Sequence, residues 1–183
     1  MKKSLVALLV LGMCVTASQI ALAEPHLGLQ SAGVQVGMVN PENLDATFGV
    51  GGFADWGTLT PNIRLTSHLD YWSKSEGIPA TGKVTLRDVT LTMRTQYMIP
   101  VSSEKFQPYV GLGMGLHFLN AKAELAGFPD ASDGTTKVGF DFGGGFAAPL
   151  NPKMDLQADT WYGVVDGFNQ LSLKGGLAFK IGS

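Results

Sequence analysis

From Val34 to Ile181 the chain keeps returning to one pattern, segments of about ten residues in which every second side chain is apolar. Val110, Leu112, Met114, Leu116 and Phe118 alternate with Tyr109, Gly111, Gly113, Gly115 and His117. Successive side chains of a strand point to opposite faces, so this segment presents one continuous apolar face and one small or polar face. Val138, Phe140, Phe142 and Phe146 oppose Lys137, Gly139, Asp141, Gly143 and Gly145 in the same way. Val89, Leu91, Met93, Tyr97 and Ile99 oppose Asp88, Thr90, Thr92, Arg94 and Gln96, so here the second face is charged. Ile63, Leu65, Leu69 and Tyr71 oppose Arg64, Thr66, His68 and Asp70, and Leu171, Leu173, Leu177, Phe179 and Ile181 oppose Ser172, Lys174 and Lys180. Three less regular segments, Val34 to Val39, Ala46 to Ala54 and Leu156 to Val164, bring the expected total to about eight strands. No long amphipathic helical period competes with them.

The connections alternate in length. Asp55-Trp56-Gly57, Val101 to Phe106 and Leu150 to Lys153 read as short or moderate turns, and Pro61 fits only near a strand end. Ser73 to Lys83 and Ala121 to Thr136 read as longer polar loops, while Asn40 to Asn43 and Asp166 to Asn169 look short. Both long connections fall on the side away from the N-terminus. A membrane barrel has short periplasmic turns and longer external loops.

Alternation alone leaves two architectures. A soluble lipocalin-like carrier keeps its apolar alternates inside, whereas a membrane barrel turns them outward. Three features favour the membrane. The apolar faces carry almost no charge over a length close to the 25 Å apolar band of such barrels. Gly111, Gly113, Gly115, Gly139, Gly143 and Gly145 lie on the other face, where a narrow interior needs room for larger neighbours. Tyr71, Trp72, Tyr97, Tyr109, Trp161 and Tyr162 lie near strand ends, where aromatic girdles belong. Hydrocarbon also demands closure, because an open sheet edge leaves backbone groups unsatisfied. The expectation is an all-β fold, an eight-stranded antiparallel up-and-down transmembrane β-barrel.

The N-terminus supplies the means of export. Lys2 and Lys3 precede an apolar run from Leu5 to Val15, and Ala21-Leu22-Ala23 offers a small-x-small cleavage site. The apolar run falls short of the roughly 20 residues a spanning helix needs. The expected division is a signal peptide over 1–23, cleaved after Ala23, and a barrel domain over 24–183. With Lys2 and Lys3 removed from the 13 basic residues, 11 remain against 15 acidic, a net charge of −4. Neither that balance nor any basic patch points to nucleic acid. Cys14, the single cysteine, lies in the leader after Met13 rather than after the small residue of a lipoprotein site, so disulfides cannot brace the mature domain.

The run Phe106-Gln107-Pro108-Tyr109-Val110-Gly111-Leu112-Gly113-Met114-Gly115 resembles the PYVGxGxG strand of the outer-membrane β-barrel domain family, which includes opacity-like and porin-like relatives of the OmpA and OmpX barrels. The segment from Asp159 and Tyr162 through Asp166-Gly167-Phe168-Asn169 to Phe179 is similar to that family's last hairpin. The resemblance spans essentially the whole mature chain and implies a location in the cell outer membrane. It also implies outer-membrane lipid and the insertion machinery as partners. It specifies no activity and no surface ligand. The family's terminal strand often ends on an aromatic residue, whereas here Phe179 is followed by Lys180-Ile181-Gly182-Ser183.

In this architecture Arg64, Asp70, Asp88, Arg94, Asp141, Asp159, Lys174 and Lys180 all point into the lumen. Their mixed signs suggest a salt-bridged plug, because eight strands enclose a space that side chains alone nearly fill. A small ion path is the alternative. His68 and His117 also point inward, toward the external end, and could meet above the fourth strand. With no Cys and no His-x-His or His-Glu-x-x-His spacing, a hydrogen-bonding role is expected for them and no metal site. Ser67 adjoins His68 but lies on the opposite face, and Glu76, Glu104 and Glu124 fall in turns or loops, so no catalytic constellation or cofactor site emerges for a lipid-modifying enzyme. The expected role is structural or surface-interacting, with 73–83 and 121–136 as contact surfaces.

Overall fold

The computed structural model describes residues 25–78, 82–103, 105–125 and 129–181. The leader, with Cys14 and the expected cleavage after Ala23, lies outside the described residues, as does Glu104. Eight antiparallel strands form one ring closed by pairing of the first with the last. They are β1 (His26–Pro41), β2 (Thr47–Thr60), β3 (Ile63–Ile78), β4 (Gly82–Met98), β5 (Gln107–Leu125), β6 (Ala131–Asn151), β7 (Met154–Val165) and β8 (Phe168–Lys180). Each strand pairs with its sequence neighbour, so no sheet edge remains at membrane depth.

The apolar alternates face outward. Phe48 is 76% exposed and Leu173 60%, whereas Asp88 is 0% exposed and Arg94 4%. A lipocalin-like carrier does not fit this inversion, because its cavity would need the apolar face inside.

Glycine permits the tight closure. At Gly37, Gly143 and Gly145 a Cβ would run into a carbonyl oxygen of the neighbouring strand, so these strands curl more closely than a side chain allows. The room released on the inner face is filled: a Cβ on Gly143 would lie 3.0 Å from the Trp161 ring, and one on Gly139 would lie 2.7 Å from His117 Nε2.

Four expectations need correction. Asp55-Trp56-Gly57 is not a turn but part of β2, and the chain reverses at Pro61-Asn62 instead. The turn-like composition makes a bulge: Gly57 has φ +90°, its N–H donates to Asp55 Oδ1 at 2.8 Å, and the register shifts between Asp55 and Thr58. Strand β1 begins at His26, eight residues before Val34, and β7 begins at Met154. The expected loops 73–83 and 121–136 are mostly strand. Pairing continues from Ser73↔Arg87 to Ile78↔Gly82 and from Ala121↔Asp133 to Ala123↔Ala131. Both faces of these segments meet water, so nothing imposes apolar alternation on them. Finally, the aromatic girdle keeps only Tyr71, Tyr97 and Tyr162, while Trp72, Tyr109 and Trp161 are buried in the lumen because their positions carry inward parity.

Candidate functional site

The lumen is built from inward residues of every strand, and its charges sit in separate pairs. Near the periplasmic mouth Lys180 meets Asp155 at 2.9 Å, and Arg64 lies 3.6 Å from Asp55. The same Arg64 donates from Nε and Nη2 to Gln96 Oε1 at 3.0 and 2.6 Å, with its guanidinium 5.3 Å from the Tyr109 ring centre. Tyr109 donates to Asp159 Oδ2 at 3.0 Å. Midway up, Arg94 donates from Nη2 and Nε to Asp141 Oδ2 at 2.8 and 3.2 Å and stacks 4.2 Å over Trp161. On the opposite wall Lys174 Nζ and Gln35 Nε2 both reach Asp70 Oδ1 at 2.7 Å.

The two histidines do not share a partner. His117 Nδ1 lies 2.8 Å from Asp88 Oδ2, which also accepts from Thr90 at 3.1 Å. His68 is placed by Gln35 and Thr66 and stacks on Phe53, with ring centres 5.7 Å apart. No group of three or more metal-ligating side chains occurs among the described residues. Ser67 faces outward and accepts from Trp56 Nε1 at 2.8 Å, so it does not meet the His68 ring.

Of the eight charges read from the sequence, two pairs form among themselves, Asp70 with Lys174 and Arg94 with Asp141. The other four find partners outside the set, three of them residues that the sequence pattern places elsewhere. By composition Asp55 reads as part of a turn, Asp155 as the residue before a strand and Tyr109 as a girdle residue, while His117, the partner of Asp88, is expected in the lumen as a hydrogen-bonding side chain. Correct strand limits expose the first two, since odd-numbered positions of β2 and β7 point inward.

Between the two central pairs, in a space lined also by Trp72 and Trp161, the remaining void is about 20 Å³, room for roughly one water. Above it Trp72 donates to Gln170 at 3.0 Å and stacks on Phe168.

The external end is lopsided. Pairing of β2 with β3 stops at Gly49↔Trp72, and that of β6 with β7 at Gly139↔Val165. Strands β3 to β6 continue upward as a sheet from one wall. On the other wall two short turns are tied together, Glu42 N–H to Asn169 O at 2.7 Å and Asn169 Nδ2 to Glu42 Oε2 at 2.8 Å. On the rising sheet Lys122 contacts Glu124 and Asp130, and hydrogen bonds to those carboxylates hold its ammonium above the usual lysine range.

This geometry, an apolar outside around a charged and filled inside, agrees with the comparison by sequence: the outer membrane protein beta-barrel domain matches residues 5–180. The chain belongs to that family. Its place is therefore the cell outer membrane, with the apolar band in lipid. No curated protein matches the chain. Among solved structures, Neisserial surface protein A is similar with a TM-score of 0.59 and 19% identity, over 82% of this chain and 96% of that one. Ail, the attachment invasion locus protein of Yersinia pestis, has a TM-score of 0.55 and 14% identity over 84% of this chain and 100% of that one. A major outer membrane protein from Thermus thermophilus has a TM-score of 0.59 and 12% identity, with 84% and 100% covered. At these identities the likeness is one of fold.

Proposed function

We propose that this barrel is a plugged, non-conducting scaffold that holds the β3–β4 and β5–β6 hairpins above the membrane as a contact surface. The observation that carries the reading is the lumen. Arg94–Asp141, Lys174–Asp70 and His117–Asp88 occupy its middle and leave about 20 Å³ between the central pairs. A hydrated ion needs a continuous path, and these side chains are fixed by mutual contacts. With the interior closed, the parts free to meet another molecule are the polar strands beyond the band. The Ail barrel, by its name an attachment protein, has been crystallised with the heparin analogue sucrose octasulfate. That supports a surface role by analogy of architecture.

Two measurements test the proposal. In planar bilayers the purified barrel is expected to give no discrete conductance steps, and regular steps would replace the plug with a pore. Cells carrying a form with residues 75–85 and 122–132 each replaced by a short turn are expected to keep a folded barrel but lose surface contacts. Unchanged adhesion and aggregation would end the contact reading.

A further inference from the structure

The external cations fall into two groups. Lys74 lies 3.7 Å from Asp45, Lys122 lies 2.7 and 2.9 Å from Glu124 and Asp130, and Lys137 lies 3.5 Å from Asp166. Arg87 and Lys83, both exposed on β4, have no carboxylate within ion-pair distance among the described residues. They are four residues apart on one strand, so they share a face and stand roughly 13 Å apart along it. That face is the lipid face, since Val89, Leu91 and Met93 continue it downward and are exposed.

The register fixes where the lipid face changes character. Tyr71, Val89 and Phe118 are paired across β3, β4 and β5 and close the apolar band. One pleat higher the row is Ser73, Arg87 and Asn120. Aromatic side chains mark the interface, so the next row stands at the height of lipid headgroups and points toward them rather than up into solvent. A guanidinium there offers a planar fork of N–H donors that matches phosphate oxygens, and the Lys83 ammonium, about 13 Å further up the strand and opposite Glu124, adds a second point charge. Juxtamembrane cations are drawn to anionic headgroups.

We propose that Arg87 and Lys83 bind the phosphate groups of an outer-leaflet glycolipid, with Ser73 and Asn120 as neutral donors beside Arg87. Arg87 lies below the 75–85 segment of the contact surface and Lys83 within it, but phosphate preference is read without adhesion or aggregation, so the two roles are tested apart.

The test is a titration of the folded mature barrel with diphosphoryl lipid A and with dephosphorylated lipid A, read by native mass spectrometry. The wild type is expected to favour the phosphorylated form by roughly tenfold or more. The Arg87→Gln/Lys83→Gln form is expected to lose that preference. Lys153→Gln, on a periplasmic turn, is expected to keep it. Should the double variant fail to fold, Arg87→Lys retains the charge without the fork and is expected to weaken the preference several-fold. Equal binding of both lipids by the wild type, or a preference that survives the double substitution, overturns the proposal.

Discussion

The lower and upper parts of β5 are one continuous strand in two solvents. From Val110 to Phe118 its outward side chains are apolar and exposed, and its inward ones are glycine or buried His117. From Leu119 to Ala123 it keeps its paired strands on both sides, and to Leu125 on the β4 side, yet the alternation ends and Asn120, Lys122 and Glu124 take the outward positions. Backbone pairing alone therefore does not write a period of two into a sequence. The contrast between lipid and a packed lumen writes it, and where both faces meet water the strand becomes invisible to that pattern.

Several substitutions sharpen this contrast. The largest effect is expected inside the band, where Arg94→Ala leaves Asp141 buried without its counter-ion. A loss of about 3–5 kcal/mol is expected, read as the shift of the urea midpoint in vesicles. Met114→Arg puts a cation at the middle of the lipid face and is expected to cost about 2–4 kcal/mol in the same assay. Gly143→Val tests closure, because its side chain must displace Trp161 or the β7 backbone; about 1–3 kcal/mol is expected. Asn120→Arg, on the same strand and face as Met114 but beyond the band, is expected to change stability by no more than about 0.5 kcal/mol. If Asn120→Arg and Met114→Arg cost the same, the boundary between lipid and water has been drawn in the wrong place.

Much of the barrel was legible for the same reason. The eight strands, their antiparallel order and the inward direction of Arg64, Asp70, Asp88, Arg94, Asp141, Asp159, Lys174 and Lys180 follow from parity. Pairing was less legible, because parity gives a direction and not a height. Asp88 and Arg94 share β4, yet their partners come from β5 and β6 respectively. Aromatic residues misled in a specific way. Trp72, Tyr109 and Trp161 resemble girdle residues by type, but all three are buried in the lumen, and Trp161 fills the volume that Gly111 and Gly143 release. The Asp55-Trp56-Gly57 bulge misled because a bulge and a turn use the same chemistry, a side-chain acceptor two residues before a positive-φ glycine.

The most direct test of the inside-out barrel is a nitroxide scan along β5, one labelled cysteine at a time from Val110 to Glu124, reading collision with oxygen and with a water-soluble nickel complex. The expected trace has oxygen maxima at residues 110, 112, 114, 116 and 118, minima at the residues between them, and high nickel access from residue 120 upward. Uniform accessibility along the strand, or oxygen maxima on the odd-numbered residues, would contradict a barrel with its apolar face in lipid and its charges in the lumen.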